Sequence, residues 1–153
     1  MDSLLELEKL GLQLTSAGAT NPEFTGKTYT ALYELGHSYF EARDLEKAKA
    51  VFEALIRAFP FSLEAIHALG STCYLQKDYE LALKAFRIYQ TLSPKDHLGY
   101  LYEAYIWIDL DRRADAVFLL EKTLLLIDKS SKLESEIKLM ISQLKLDGTY
   151  AKS

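Results

Sequence analysis

The sequence predicts an all-α fold of three tandem helix pairs, and three observations carry that prediction. Gly and Pro are sparse, seven and three in 153 residues, and Ala/Leu/Lys/Glu-rich stretches run between them, which favours helix. A shift of 34 residues lays Leu35, Gly36, Asp44, Glu46, Ala48, Phe52 and Pro60 on Leu69, Gly70, Asp78, Glu80, Ala82, Phe86 and Pro94. A third unit follows more loosely, with Ala104 below Gly70, Ala116 below Ala82, Leu120 below Phe86, and Asp128 in place of the proline.

The matched residues have a packing logic. Gly36, Gly70 and Ala104 are small where a paired helix must come close, and Ala48, Ala82 and Ala116 answer them from the second helix. Phe52, Phe86 and Leu120 are the large side chains between them. Pro60 and Pro94 stand where a second helix must stop, because proline removes a backbone donor and blocks continuation. Helices are expected over 28–42 and 45–58, 62–76 and 79–92, and 96–109 and 112–127. The joints Arg43-Asp44, Lys77-Asp78 and Asp109-Leu110-Asp111 are long enough only for antiparallel neighbours.

Period, small residues and terminal proline together resemble the tetratricopeptide repeat, a helix-turn-helix unit. The resemblance implies a short right-handed solenoid with repeats at 29–62, 63–96 and 97–130, inside a domain spanning 28–146. A seventh helix, 131–146, carries Leu133, Ile137, Met140, Ile141 and Leu144 on one face and supplies the C-terminal cap that stacked repeats need. At the other end Ser3 and Glu6 form a capping-box pattern opening a leucine-rich helix over 3–14, followed by a linker from Thr15 to Lys27. So short a helix is marginal alone and must pack either on the first repeat or on a second copy of the chain. Residues 147–153 read as a flexible tail.

Composition excludes several function classes. A net charge of −4 argues against a nucleic-acid surface, which needs clustered Lys and Arg. Cys73 is the single cysteine, so no internal disulfide forms, as suits a reducing cytoplasm. The N-terminus lacks the basic start of a signal peptide, and no apolar run is long enough to span a membrane. A soluble cytoplasmic protein is expected.

No catalytic constellation is legible. His37, His67 and His97 fall thirty residues apart without the converging Cys, Asp or Glu that a metal site needs, so no metal or cofactor is expected. Cys73 occupies the position of Tyr39 in the first repeat, a core position, and reads as a buried structural thiol. Phosphate loops, nucleophile elbows and metalloprotease motifs are missing, and Asp109 and Asp111 belong to a turn. The chain is read as a binding protein and not an enzyme.

In tetratricopeptide arrays the first helix of each pair lines the concave side. The inward positions are Thr30, Tyr33, His37 and Phe40 in the first repeat and Glu64, His67, Ser71 and Tyr74 in the second. The third contributes Leu98, Leu101, Tyr105 and Ile108. Apolar and aromatic surface with a few hydroxyl and imidazole groups suits an extended peptide whose side chains enter pockets while polar groups bond its backbone. The basic and asparagine-lined clamp that grips acidic tails of heat-shock chaperones is not present, since Tyr33, His37, His67 and Ser71 stand there.

The segments Leu32-Tyr33-Glu34-Leu35-Gly36-His37-Ser38-Tyr39, Asp44-Leu45-Glu46-Lys47-Ala48 to Phe52-Glu53-Ala54-Leu55, and Leu69-Gly70-Ser71-Thr72-Cys73 to Asp78-Tyr79-Glu80-Leu81-Ala82 resemble the tetratricopeptide chaperones of bacterial type III secretion. The resemblance covers roughly 29–145. It implies a cytoplasmic bacterial chaperone that keeps a secreted translocator or needle subunit soluble in its concave groove, and a homodimer through the N-terminal region. The sequence departs from that pattern at Ala104-Tyr105-Ile106, where Ala-Glu-Cys is expected, and at Lys77, where a turn glycine is common. A scaffold that joins folded cytosolic proteins is the alternative reading.

Overall fold

A computed structural model describes residues 22–151 of the chain, with side chains over 26–147. Seven helices and no strand occur among them: α1 Pro22–Glu41, α2 Leu45–Ala58, α3 Leu63–Leu75, α4 Tyr79–Leu92, α5 Leu98–Asp109, α6 Arg113–Leu124 and α7 Lys132–Ala151. The expected helix over 3–14 and most of the linker lie outside the described residues. Two ends differ from expectation by five residues or more. α1 starts at Pro22 and not near 28, since proline is pre-organised for a first helical turn, where its missing N–H costs nothing. α7 runs to Ala151 and not 146, because neither proline nor a left-handed residue interrupts it and Gly148 stands inside the helix.

The chain divides between Ala85 and Phe86 into two compact units. In the first, α1 packs on α2, α2 on α3, and α1 touches α3. Leu32, Ala48, Val51, Phe52, Leu55, Ala65, Ile66 and Cys73 form its core, each at most 2% exposed. Gly36 meets its expected role directly: a Cβ there would stand 2.5 Å from the Phe52 ring. In the second unit α5 packs on α6 and α6 on α7. Its buried cluster joins Tyr100, Leu101, Ala104, Leu119, Leu120, Ile137 and Ile141, with the last two supplied by α7, so that helix caps the repeat as expected.

The turns repeat with the same 34-residue period as the helices. Arg43, Lys77 and Asp111 each adopt positive φ, at 63°, 62° and 56°, immediately past a first helix. In each case the next residue's N–H closes back on the helix: Asp44 to Tyr39 O, Asp78 to Cys73 O and Arg112 to Trp107 O, at 2.9, 2.9 and 2.8 Å. This is the six-to-one bond of a Schellman ending, which favours glycine at the left-handed residue. Asp44 and Asp78 then cap the following helices by accepting from Lys47 N and Leu81 N. Arg112, at the third such position, makes no side-chain cap bond. Lys77→Gly is expected to stabilise the fold by about 1 kcal/mol, by removing the strain that a side chain meets in the left-handed region. Urea denaturation of the two chains checks it.

Cys73 is fully buried. Burial pushes its thiol from the usual 9.0 up to about 11; Lys49 opposes the rise, while Asp78 and Glu53 add to it. Burial also raises Tyr89, helped by the hydrogen bond its hydroxyl donates to Asp96 at 2.6 Å. Both groups are neutral in the folded chain and ionise more readily when unfolded. The thiol's stabilisation is therefore complete below its unfolded value of 9.0 and is lost as pH rises through about 11. The urea midpoint should fall across that window, and Cys73→Ala should flatten part of the fall. At neutral pH the native thiol should resist Ellman's reagent until the chain is unfolded, when one thiol per chain reacts.

Candidate functional site

Helical spacing places Tyr29, Tyr33, His37 and Phe40 along one face of α1. Their rings form a ladder: Tyr29 to Tyr33 at 6.1 Å, Tyr33 to His37 at 6.3 Å and His37 to Phe40 at 6.4 Å between centroids. The base of the ladder is held from behind. Tyr33 leans on the Phe52 ring and Tyr29 meets Phe59 edge-on. The Tyr29 hydroxyl shares a hydrogen bond with Ser62 Oγ at 2.7 Å and donates to Glu64 Oε2 at 3.1 Å. Ser62 also caps α3 by accepting from Ala65 N, so one hydroxyl ties the ladder to the start of the second repeat.

The ladder is only partly covered. Tyr29, Tyr33 and Phe40 are half-buried, and the His37 side chain is 52% exposed with Nδ1 at 3.5 Å from Glu41. An open depression of about 430 Å³ is lined by Tyr33, Glu34, His37 and Ser38. Thr30 is exposed, and its hydroxyl donates back to Gly26 O within α1. On α3, His67 and Ser71 are half-buried, with His67 Nε2 and Ser71 Oγ shielded from solvent. The Ser71 hydroxyl has no hydrogen-bond partner among the described residues and keeps its capacity for another group. Tyr74 is half-buried with its ring 6.1 Å from that of Tyr79.

The remaining expected positions belong to the second unit. Tyr105 and Ile108 are half-buried against its core cluster, and burial raises the Tyr105 hydroxyl, with Tyr102 and Glu136 adding to the rise. Leu101 corrects the expectation. It is 4% exposed and lies in one cluster with Ile137 and Ile141, so it offers no surface to a ligand. Two aromatic residues were missed. Tyr29 opens the α1 ladder, and Tyr102 meets both Phe86 and Tyr105 at 5.3 and 5.5 Å. Tyr29 was findable from its spacing of four residues before Tyr33.

Among the described residues no group of three or more His, Cys, Asp or Glu could hold a metal ion, and no helix is long and apolar enough to cross a membrane. What the site offers is aromatic surface, imidazole and hydroxyl groups on two neighbouring first helices.

The tetratricopeptide repeat family profile matches residues 33–97, which include the ladder from Tyr33 onward and all of α3. The chain also resembles solved structures. The type III secretion chaperone SycD of Yersinia enterocolitica, in complex with a peptide of the translocator YopD, aligns with a TM-score of 0.75 and 21% identity over 80% of this chain and 95% of that one. PcrH of Pseudomonas aeruginosa, solved with the chaperone-binding region of PopD, aligns with a TM-score of 0.74 and 17% identity over 80% and 95%. The tetratricopeptide domain of Arabidopsis OM64 aligns with a TM-score of 0.67 and 13% identity over 75% and 94%. No curated protein sequence matches the chain. At these identities the likeness establishes a shared fold.

Proposed function

We propose that this chain is a non-enzymatic chaperone of bacterial type III secretion, which binds a secreted translocator or needle component and keeps it soluble and competent for export. The observation that carries the reading is the half-exposed ladder of Tyr29, Tyr33, His37 and Phe40, on a fold shared with two chaperones solved with translocator segments. Half-exposed rings held from behind by Phe52 and Phe59 are pre-shaped for apolar side chains, so little ordering cost is left for the moment of binding. Burial of client side chains contributes about 25 cal/mol per Å² of apolar surface before ordering costs. The binding positions are Thr30, Tyr33, His37, Phe40, His67, Ser71 and Tyr74 in the first unit and Tyr105 and Ile108 in the second. Homodimerisation through the N-terminal segment and a place in the bacterial cytoplasm belong to the same proposal; SycD too has been solved as an alternative dimer.

The test is client affinity of Tyr74→Ala and Tyr33→Ala chains, alongside circular dichroism. Affinity should fall at least tenfold for Tyr33→Ala, the loss of about 1.4 kcal/mol or more for an aromatic anchor, with helical content kept. Affinity unchanged in both variants would remove the groove assignment and favour a scaffold that joins folded proteins elsewhere on its surface.

A further inference from the structure

We infer that the depression on α1 is a subsite for a cationic side chain, so that a client segment presents an Arg or Lys among its apolar residues there. The inference rests on the reading that this face receives a client, and it adds the charge of what is received.

Three features of the first unit converge on it. The depression is lined by Tyr33, Glu34, His37 and Ser38, two ring-bearing residues with a carboxylate and a hydroxyl residue. Glu34, Ser38 and Glu41 follow at i, i+4 and i+7, so two carboxylates edge the same side of the ring ladder. Glu34 is exposed and enters no ion pair among the described residues, whereas Glu41 already faces His37 Nδ1 at 3.5 Å. The described cations of α1 and its following turn, Lys27 and Arg43, stand seven residues before Glu34 and nine after it, well beyond the i, i+4 reach that pairs side chains on a helix.

The chemistry favours guanidinium or ammonium over the other side chains a peptide carries. A half-exposed tyrosine presents the negative face of its ring, which attracts a cation placed over it. The adjacent unpaired carboxylate adds a charge-assisted hydrogen bond. An anionic residue would meet Glu34 and Glu41 at close range, and a purely apolar one would strip water from Glu34 without replacing it. Complementary charge here fixes the register of an otherwise repetitive apolar segment, because sliding by one position moves the cation off the carboxylate.

The test is an NMR titration of the full chain with N-acetyl-arginine methylamide and with its neutral isostere, N-acetyl-citrulline methylamide. The arginine derivative should shift amides within 33–41 and bind about fivefold more tightly than the citrulline one, the size of one exposed cation–ring contact with a surface ion pair. Glu34→Gln, an exposed and helix-compatible change, should shrink the difference to about twofold, the part left to the ring contact. Equal binding of the two derivatives, shifts confined to other parts of the chain, or a difference undiminished by Glu34→Gln would each overturn the subsite. The readout is independent of the client: a chain that holds its client through Tyr33 and Tyr74 yet treats the two derivatives alike keeps the chaperone reading and loses this one.

Discussion

Glu103→Ala is expected to cost about 3 kcal/mol of stability, because it removes the acceptor on which three side chains converge. Glu103 Oε1 accepts from Arg87 Nε and Nη2 and from Trp107 Nε1, each at 3.2 Å, and Oε2 accepts from Gln90 Nε2. The carboxylate is nearly buried, at 7% side-chain exposure, while Arg87 keeps 58%. Arg87 can therefore turn to water when Glu103 is lost. The Trp107 indole N–H and the Gln90 amide lose a partner inside the packed α4–α5 region, and their desolvation is what makes the change costly. Glu103→Gln keeps the shape but points an amide donor at other donors, so about 1 to 2 kcal/mol should be lost. Trp107 is the only tryptophan, so its emission reports the same event locally. Urea denaturation with tryptophan fluorescence checks both variants. A Glu103→Ala chain as stable as the parent would mean the four groups are independent of one another.

Gly36→Ala is the second large effect. Alanine gains about 1 kcal/mol of helix propensity over glycine in a helix interior, but overpacking costs about 1 to 3 kcal/mol. Here the added methyl would stand 2.5 to 2.9 Å from three atoms of the Phe52 ring, which is itself 1% exposed and has nowhere to retreat. The cost should sit at or above the top of that range, giving a net loss of about 2 kcal/mol. Phe52 is also the ring on which Tyr33 leans, so the variant should lose client affinity as well as stability. Coupling identifies the cause. Combined with Phe52→Leu, which shortens the obstructing ring, Gly36→Ala should cost at least about 1 kcal/mol less than it does alone. Denaturation midpoints of the four chains in the cycle decide it, and strict additivity would show that the small residue at 36 serves some other purpose.

Much of the fold is legible because its signals are local and repeated. The bounds of α2 and α4 follow from Asp44 and Asp78 as caps, and both helices start where those residues place them. Lys77 departs from the turn glycine, yet the turn forms, since its Schellman bond outweighs the strain of one left-handed side chain. The candidate face was legible in the first repeat, where Tyr33, His37 and Phe40 share a helix face whose outer side is open. It failed at Leu101, which stands two periods below Tyr33. Around α5, Gly99, Glu103 and Ile106 are buried on one side and Tyr100, Leu101 and Ala104 on the other, so a position open in α1 is closed in α5. Glu103 was not legible either. A glutamate in a helix reads as solvated surface, and only the convergence of Arg87, Gln90 and Trp107 makes its burial tolerable.

The most direct test of the chaperone account is affinity purification of the chain from its native cells, with mass-spectrometric identification of what it holds and expression of that protein alone and together with the chain. The account predicts a secreted, apolar translocator or needle protein that is insoluble by itself, is soluble when co-expressed, and is released by Tyr33→Ala. Recovery of only stable cytosolic proteins, soluble without the chain and indifferent to Tyr33→Ala, would contradict it.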